Sequence, residues 1–147
     1  MKLNMVALCD RATIREGLLH ILGAGVTQCS LGLPSPPDLD LAILIQAEDW
    51  QELAGSHRLT ATMSHVESDQ NHVIELMWDS PRIEPDDDPA APKHPLPQLP
   101  VVVPLRSIVL TQEGEHSVEV AMDGSPLAQL SLIVTKAMLP GVTTQLR

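Results

Sequence analysis

The stretch that decides the fold is GEHSVEVAMDGSPLAQLSLIV, Gly114–Val134, which alternates apolar and polar residues on both sides of one Asp-Gly pair. A period of two is typical of a strand that buries one face, and Asp-Gly favours the tight turn of a hairpin. The pattern predicts that His116–Met122 pairs with Leu127–Thr135 around Asp123-Gly124. The predicted inward residues are Val118, Val120, Met122, Ala128, Leu130, Leu132 and Val134.

Strand and turn signals recur along the rest of the chain. Glu16-Gly17 marks a second hairpin, and Gly23 and Gly25 predict a bulge or a bend after its second arm. Pro104 predicts an edge strand or a bulge, because proline has no N–H for the middle of a sheet. Further strands are predicted at Lys2–Cys9, at Leu39–Ala47 in a central position, and at 57–66, 72–78 and 101–111.

These elements predict the fold class. No long segment has the 3.6-residue period of a helix, which argues against an α/β fold with crossover helices. Short strands with frequent turns predict an all-β fold, a single antiparallel two-sheet β-sandwich of about eight or nine strands, Ig-like or C2-like. The domain is predicted to span 1–138, with an exposed acidic, proline-rich loop at 79–100, and 139–147 is predicted to be a loosely ordered tail.

Composition argues against several classes of function. The chain of 147 residues has 9 Lys and Arg against 19 Asp and Glu, a net charge of −10, and its basic residues are scattered. Nucleic acids and anionic membranes attract clustered cations, so neither is an expected partner. The apolar run Met5–Cys9 is too short for a signal peptide, and we predict a cytoplasmic protein.

The two cysteines, Cys9 and Cys29, both lie in segments predicted as strands. Buried free thiols behave as small apolar groups, and disulfides are rare in a reducing cytosol. We therefore predict two buried thiols rather than a disulfide bridge.

The histidines raise the question of a metal site. His65, Glu67, Asp69 and His72 surround one predicted turn, and two imidazoles with two carboxylates are ligands that suit zinc or another divalent ion. His57 is eight residues from His65 on one strand, too far to share an ion. A polar hairpin tip has the same composition without any metal, so the prediction is no metal and no cofactor, with those four residues as the candidates if one binds.

The sequence shows no motif for catalysis. It has no G-x-S-x-G nucleophile elbow, no cysteine in an activating context, and no helix after GAGVTQ to complete a dinucleotide fingerprint. The prediction is that the protein is not an enzyme and has no catalytic residues. A hydrolase with dispersed residues stays open as an alternative.

The stretch ALCDRATIREGLLHILGAGVTQ, residues 7–28, resembles an uncharacterised bacterial family of short β-rich proteins, a domain of unknown function. The shared features are a strand ending in Asp10, an acidic-Gly hairpin at Gly17, and the pattern L-x-I-L-G-x-G that includes Gly23 and Gly25. This chain departs from the pattern at His116, where the family often has an aromatic residue, and in its acidic loop. The resemblance implies a compact sandwich and no known activity.

The leading hypothesis for function is a non-catalytic protein-interaction or structural module that binds another protein or a second copy of itself. Outward apolar residues, an edge strand and an acidic loop motivate it. A β-sandwich that binds a small ligand or a divalent metal is the first alternative. The predicted partner-binding residues are Leu44, Val73, Met77, Pro104, Asp86, Asp87 and Asp88.

Overall fold

The computed structural model describes residues 1–82 and 96–138, and within them the chain forms two β-sheets of four and five strands. Among the described residues the only helical element is one 3₁₀ turn at Leu105–Ser107. The strands are β1 (Lys2–Arg15), β2 (Leu18–Ala24), β3 (Gln28–Leu31), β4 (Asp40–Gln46), β5 (Gly55–His65), β6 (Asn71–Ser80), β7 (Gln98–Pro104), β8 (Gly114–Met122) and β9 (Ser125–Lys136). The predicted all-β fold with two sheets is therefore confirmed.

The four-stranded sheet has the order β2-β1-β4-β7. β1 is twice as long as β2 or β4 and pairs with both of them: Lys2–Cys9 pairs with β4, and Cys9–Arg15 pairs with β2. The predicted Lys2–Cys9 strand and the first arm of the Glu16-Gly17 hairpin are therefore one continuous strand. β4 lies between β1 and β7, which confirms its predicted central position.

The five-stranded sheet has the order β3-β9-β8-β5-β6 and is strongly curled. The β8–β9 hairpin turns at Asp123 and Gly124, both with positive φ, as the Asp-Gly pair predicts. The fully antiparallel prediction was wrong at one place, because β3 pairs with β9 in parallel. Residues 32–54, which include β4 of the other sheet, connect β3 to β5. This connection is long enough for β3 to lie beside β9, three strands away from β5 in the sheet order.

The core is a cluster of aliphatic side chains contributed by both sheets. Leu41, Ile43 and Val103 come from the four-stranded sheet, and Leu59 and Val118 come from the five-stranded sheet. Each of these five side chains is fully buried. The chain has no Phe or Tyr, so Leu, Ile, Val and Met fill this space.

A second, smaller cluster lies on the other face of the four-stranded sheet. Cys9, Ala12 and Ala42 are buried there, with Leu19 and Ile21 of the β1–β2 hairpin packed against them. The outward apolar residues of β4 are thus partly covered by the chain's own hairpin rather than free for a partner.

The prediction of a continuous strand at 101–111 was wrong beyond Pro104. β7 ends at Pro104, and the 3₁₀ turn at Leu105–Ser107 follows it. The edge position predicted from Pro104 is confirmed, because β7 is the last strand of its sheet. Of the predicted loop at 79–100, β6 occupies the first two residues and β7 the last three, while residues 83–95 and the predicted tail at 139–147 lie outside the described residues.

Across residues 1–82 and 96–138, the chain has no helix with the length and apolar character needed to cross a membrane.

Candidate functional site

The four metal candidates lie around the β5–β6 turn, and hydrogen bonds fix the first of them. The Nδ1 atom of His65 accepts a hydrogen bond of 3.1 Å from the Glu67 N–H, which leaves Nε2–H to donate to the Glu113 carbonyl at 2.9 Å. Both nitrogens of this ring are therefore engaged within the protein. Glu67 is exposed, Asp69 is exposed, and His72 is half-buried on the opposite arm of the hairpin.

In the described part of the chain, no three His, Cys, Asp or Glu side chains are placed so that they could hold a metal ion. The four predicted candidates belong to that part, so the turn does not gather them around one point. His57 and His65 lie at the two ends of β5, as the spacing of the sequence predicts.

Three histidines lie near one another on adjacent strands, and we call them the histidine row. His65 of β5 is directly opposite His116 of β8, and His72 of β6 is opposite Met63, two residues before His65. The His116 ring is buried with 2% exposure, and the His65 ring meets it edge-on with 4.9 Å between the ring centroids. Gly114 makes room for this arrangement, since a Cβ there would lie 2.9 Å from His65 Nε2. In the sequence, His116 is recognisable as the first residue of a predicted strand and as a departure from a family pattern, but not as a neighbour of His65.

Burial lowers the pKa of His116 below its ordinary value of 6.5, and the neighbouring His65 and His72 lower it further, against a hydrogen bond to the Gly114 carbonyl. A histidine with a lowered pKa binds fewer protons in the folded chain than in the unfolded chain. Its contribution to stability is therefore complete above the unfolded pKa and is lost as the pH falls from that value through the folded pKa.

We expect His116→Phe to make the free energy of unfolding less dependent on pH between about 7 and 5, because the ring that resists protonation is gone. Urea unfolding at a series of pH values measures this slope. His20→Phe is the matched control, since His20 is exposed on β2. Equal slopes for wild type and His116→Phe would contradict the conclusion that the lowered pKa of His116 makes stability depend on pH.

A shallow cleft of about 540 Å³ lies beside the histidine row. Its wall holds one acid, Glu113, and one base, Lys136, so it selects neither cations nor anions by charge. The other lining residues are Leu33, Pro34, His65, Thr111 and Gln112.

At the other end of β5, His57 forms a pair with the β8–β9 turn. Its Nδ1–H donates to Asp123 Oδ2 at 2.8 Å, and the Arg58 N–H donates to Asp123 Oδ1 at 2.8 Å. The hydrogen bond from His57 lowers the pKa of the Asp123 carboxyl. No described residue hydrogen-bonds to His57 Nε2, so this Asp–His pair is not joined to a hydroxyl or thiol nucleophile. The sequence shows Asp123 only as a turn residue.

The cysteines have the environment of structural thiols. Cys9 is fully buried, and burial raises the pKa of its thiol, with Asp40 and Asp10 adding to the effect. Cys29 is half-buried, and burial raises the pKa of its thiol too. Thiols with a raised pKa are poor nucleophiles, and both cysteines are free.

The predicted partner-binding residues divide between the two sheets. Val73 and Met77 of β6 are 53% and 75% exposed. Leu44, half-buried on β4, and Pro104, exposed at the end of β7, belong to the other sheet. Asp86, Asp87 and Asp88 lie outside the described residues.

Val73 and Met77 belong to the longest outer strand of either sheet, which we call the β6 edge, Asn71–Ser80. Among the described strands only β5 pairs with β6, in one unbroken antiparallel register from Ser80 to Asn71. The burial of its side chains alternates along all ten residues, with the inner set half-buried and the outer set exposed. Such an edge has unpaired N–H and C=O groups in a regular row.

The comparisons with known proteins identify one match. A family model described as "Family of unknown function (DUF6941)" matches residues 4–135. No curated protein and no solved structure matches the chain.

Proposed function

The chain belongs to the DUF6941 family of unknown function, and from its geometry we propose a non-catalytic protein-interaction module that binds an extended segment of another protein by strand addition at the β6 edge. In strand addition the main chain of the partner hydrogen-bonds to an exposed sheet edge, and side-chain contacts supply specificity. The observation that carries this proposal is that β6 is a long, regular strand and that, among the described strands, only β5 pairs with it.

The other edges are each less suited to a partner strand. β7 contains Pro100 and Pro104, which lack the N–H that a ladder needs. β3 has only 4 residues, and β2 has 7. The β6 edge has 10 residues and contains no proline, no lysine and no bulge, although it carries two acidic residues, Glu75 and Asp79.

Other observations support the type of fold, the cellular location and the non-catalytic role that belong to this proposal. The main core cluster has members from both sheets, which supports a β-sandwich arrangement of the Ig-like or C2-like kind. The two free thiols support a cytoplasmic location. A non-catalytic role is supported by the engaged nitrogens of His65 and by the raised pKa of Cys9.

The variant Val73→Lys/Met77→Lys tests the proposal, because two lysines on an exposed edge repel or obstruct an added strand without entering the core. We expect affinity capture from the native host to recover a partner with the wild-type protein and at least about tenfold less of it with this variant, which is a loss of about 1.4 kcal/mol in binding. Quantitative mass measurement of the captured chains checks this.

The matched control is Val109→Lys/Met138→Lys, which adds the same charge at two exposed apolar residues outside β6. Urea unfolding shows whether all three proteins are folded to the same extent. Equal recovery of the partner with both variants would place its binding surface elsewhere.

A further inference from the structure

Along β6, the N–H and C=O groups of alternate residues point toward β5 or away from it. The residues whose groups point away are the ones that can hydrogen-bond to an added strand. The His65 N–H donates to the Gln70 carbonyl at 3.1 Å, next to the register pair Ser64–Asn71. Hydrogen-bonded pairs alternate along an antiparallel ladder, so His72, Ile74, Leu76 and Trp78 bond to β5. The residues between them direct their N–H and C=O groups away from β5, and these are Asn71, Val73, Glu75, Met77 and Asp79.

Hydrogen bonds between β5 and β8, on the other side of β5, lead independently to the same assignment of inward and outward backbone groups. The Val66 N–H donates to the Glu115 carbonyl at 3.0 Å, and the Arg58 carbonyl accepts from the Asp123 N–H at 2.8 Å. Even-numbered residues of β5 therefore bond toward β8, which leaves the odd-numbered ones for β6. The outward backbone groups of the β6 edge thus belong to the same residues that carry its exposed side chains.

Glu75 stands at the centre of this row, between Val73 and Met77. Its side chain is exposed, and its cross-strand neighbour on β5 is the uncharged Thr60. None of the ion pairs in the described part of the chain includes Glu75. An added strand would place a residue directly opposite this free carboxylate.

We infer that the β6 edge selects an extended segment with Lys or Arg opposite Glu75 and apolar residues opposite Val73 and Met77. The inference rests on the proposed strand addition and specifies its partner. Opposite charges on directly paired residues stabilise a sheet, as do apolar cross-strand pairs. Asp79, at the end of the row, adds a second negative charge for a basic segment.

Glu75 also disfavours a second copy of the chain as the occupant. Symmetric antiparallel self-pairing that matches Val73 with Met77 of the other copy necessarily places the two Glu75 carboxylates opposite each other. Like charges in directly paired positions are destabilising, and each copy carries a net charge of −10. The same residue therefore favours a basic partner and opposes self-association.

Two synthetic peptides test the inference, acetyl-Thr-Val-Thr-Lys-Thr-Val-Thr-amide and the same peptide with Glu in place of Lys. We expect wild type to bind the Lys peptide about fivefold more tightly, and Glu75→Lys to reverse the preference. Glu75→Gln is the control without a charge and is expected to bind both peptides equally. Titration followed by NMR gives the affinities, and hydrogen exchange of the Val73, Glu75 and Met77 amides shows whether the peptide lies on the β6 edge.

The outcomes separate the inference from the function on which it rests. If both peptides protect the β6 amides equally in wild type and in Glu75→Lys, charge selection is refuted and strand addition stands. If neither peptide protects these amides, both are refuted. If wild type sediments as a dimer with protected β6 amides before any peptide is added, the occupant is a second copy and the inference is overturned.

Discussion

Asp40→Ala is expected to lower the free energy of unfolding by about 2–4 kcal/mol, because it removes a buried carboxylate and leaves its partners unpaired. Asp40 begins β4 and is 3% exposed. Its Oδ2 accepts a hydrogen bond of 2.9 Å from the Ala12 N–H, and its Oδ1 accepts one of 2.6 Å from Arg106. Urea unfolding followed by tryptophan fluorescence measures the loss.

The size of this effect follows from where β1 changes partner. Cys9 is paired with both Ala24 of β2 and Asp40 of β4, so the sheet divides at this residue. The Asp40 carboxylate accepts its first hydrogen bond from Ala12, which lies three residues after Cys9 in β1. It accepts its second from Arg106, so it also connects β1 to the 3₁₀ turn after β7. Without the carboxylate, the β1–β2 hairpin loses its buried polar attachment and keeps its apolar contacts around Ala42 and the exposed contact of Arg11 with Asp38.

Asp38→Ala is the matched control. Asp38 forms an ion pair of 3.0 Å with Arg11, but both side chains are exposed and water replaces the contact. We expect its unfolding curve to match that of wild type. If Asp38→Ala and Asp40→Ala were equally stable, the buried carboxylate of Asp40 would not be what holds the β1–β2 hairpin in place.

Most strands were predictable because they alternate apolar and polar residues, and this pattern depends only on neighbours in sequence. In β5, Leu59, Ala61 and Met63 are buried as predicted. The two hairpin turns were predictable for a similar reason. Glu16 and Asp123 both have positive φ and are followed by glycine, which is the local requirement of a tight hairpin turn.

Pairing between distant strands was not predictable from these patterns. The parallel alignment of β3 with β9 depends on where a segment of 4 residues docks after the rest of the sheet is in place. The double pairing of β1 likewise depends on β4, about 30 residues later. Alternation tells which face of a strand is buried, but it does not tell which strand lies beside it.

The candidate site was predictable in part. Val73 and Met77 were identified from alternation as outward apolar residues, and they are exposed. Their position on a free edge required the strand order. Leu44 has the same kind of sequence context but lies on a central strand, between Met5 and Pro100. The position of His116 in a row with His65 and His72 required the register of three strands.

Ile43→Ala is expected to have the largest effect on stability, a loss of about 3–5 kcal/mol in the free energy of unfolding. Ile43 is fully buried at the middle of β4, opposite Val6 on one side and Val101 on the other. Its core cluster draws side chains from both sheets, so truncation leaves a cavity that neither sheet can close alone. Urea unfolding of the purified variant gives the loss.

Leu44→Ala provides the control for this truncation within the same strand. Leu44 follows Ile43, points to the opposite face of the sheet and is half-buried, so we expect a loss of about 1 kcal/mol or less. The difference between the two variants measures how unequal the two faces of β4 are. If Leu44→Ala were as destabilising as Ile43→Ala, the side of the four-stranded sheet that faces away from the main core would be as tightly packed as the side that faces it. Stability would then depend on the β1–β2 hairpin as much as on the contact between the sheets.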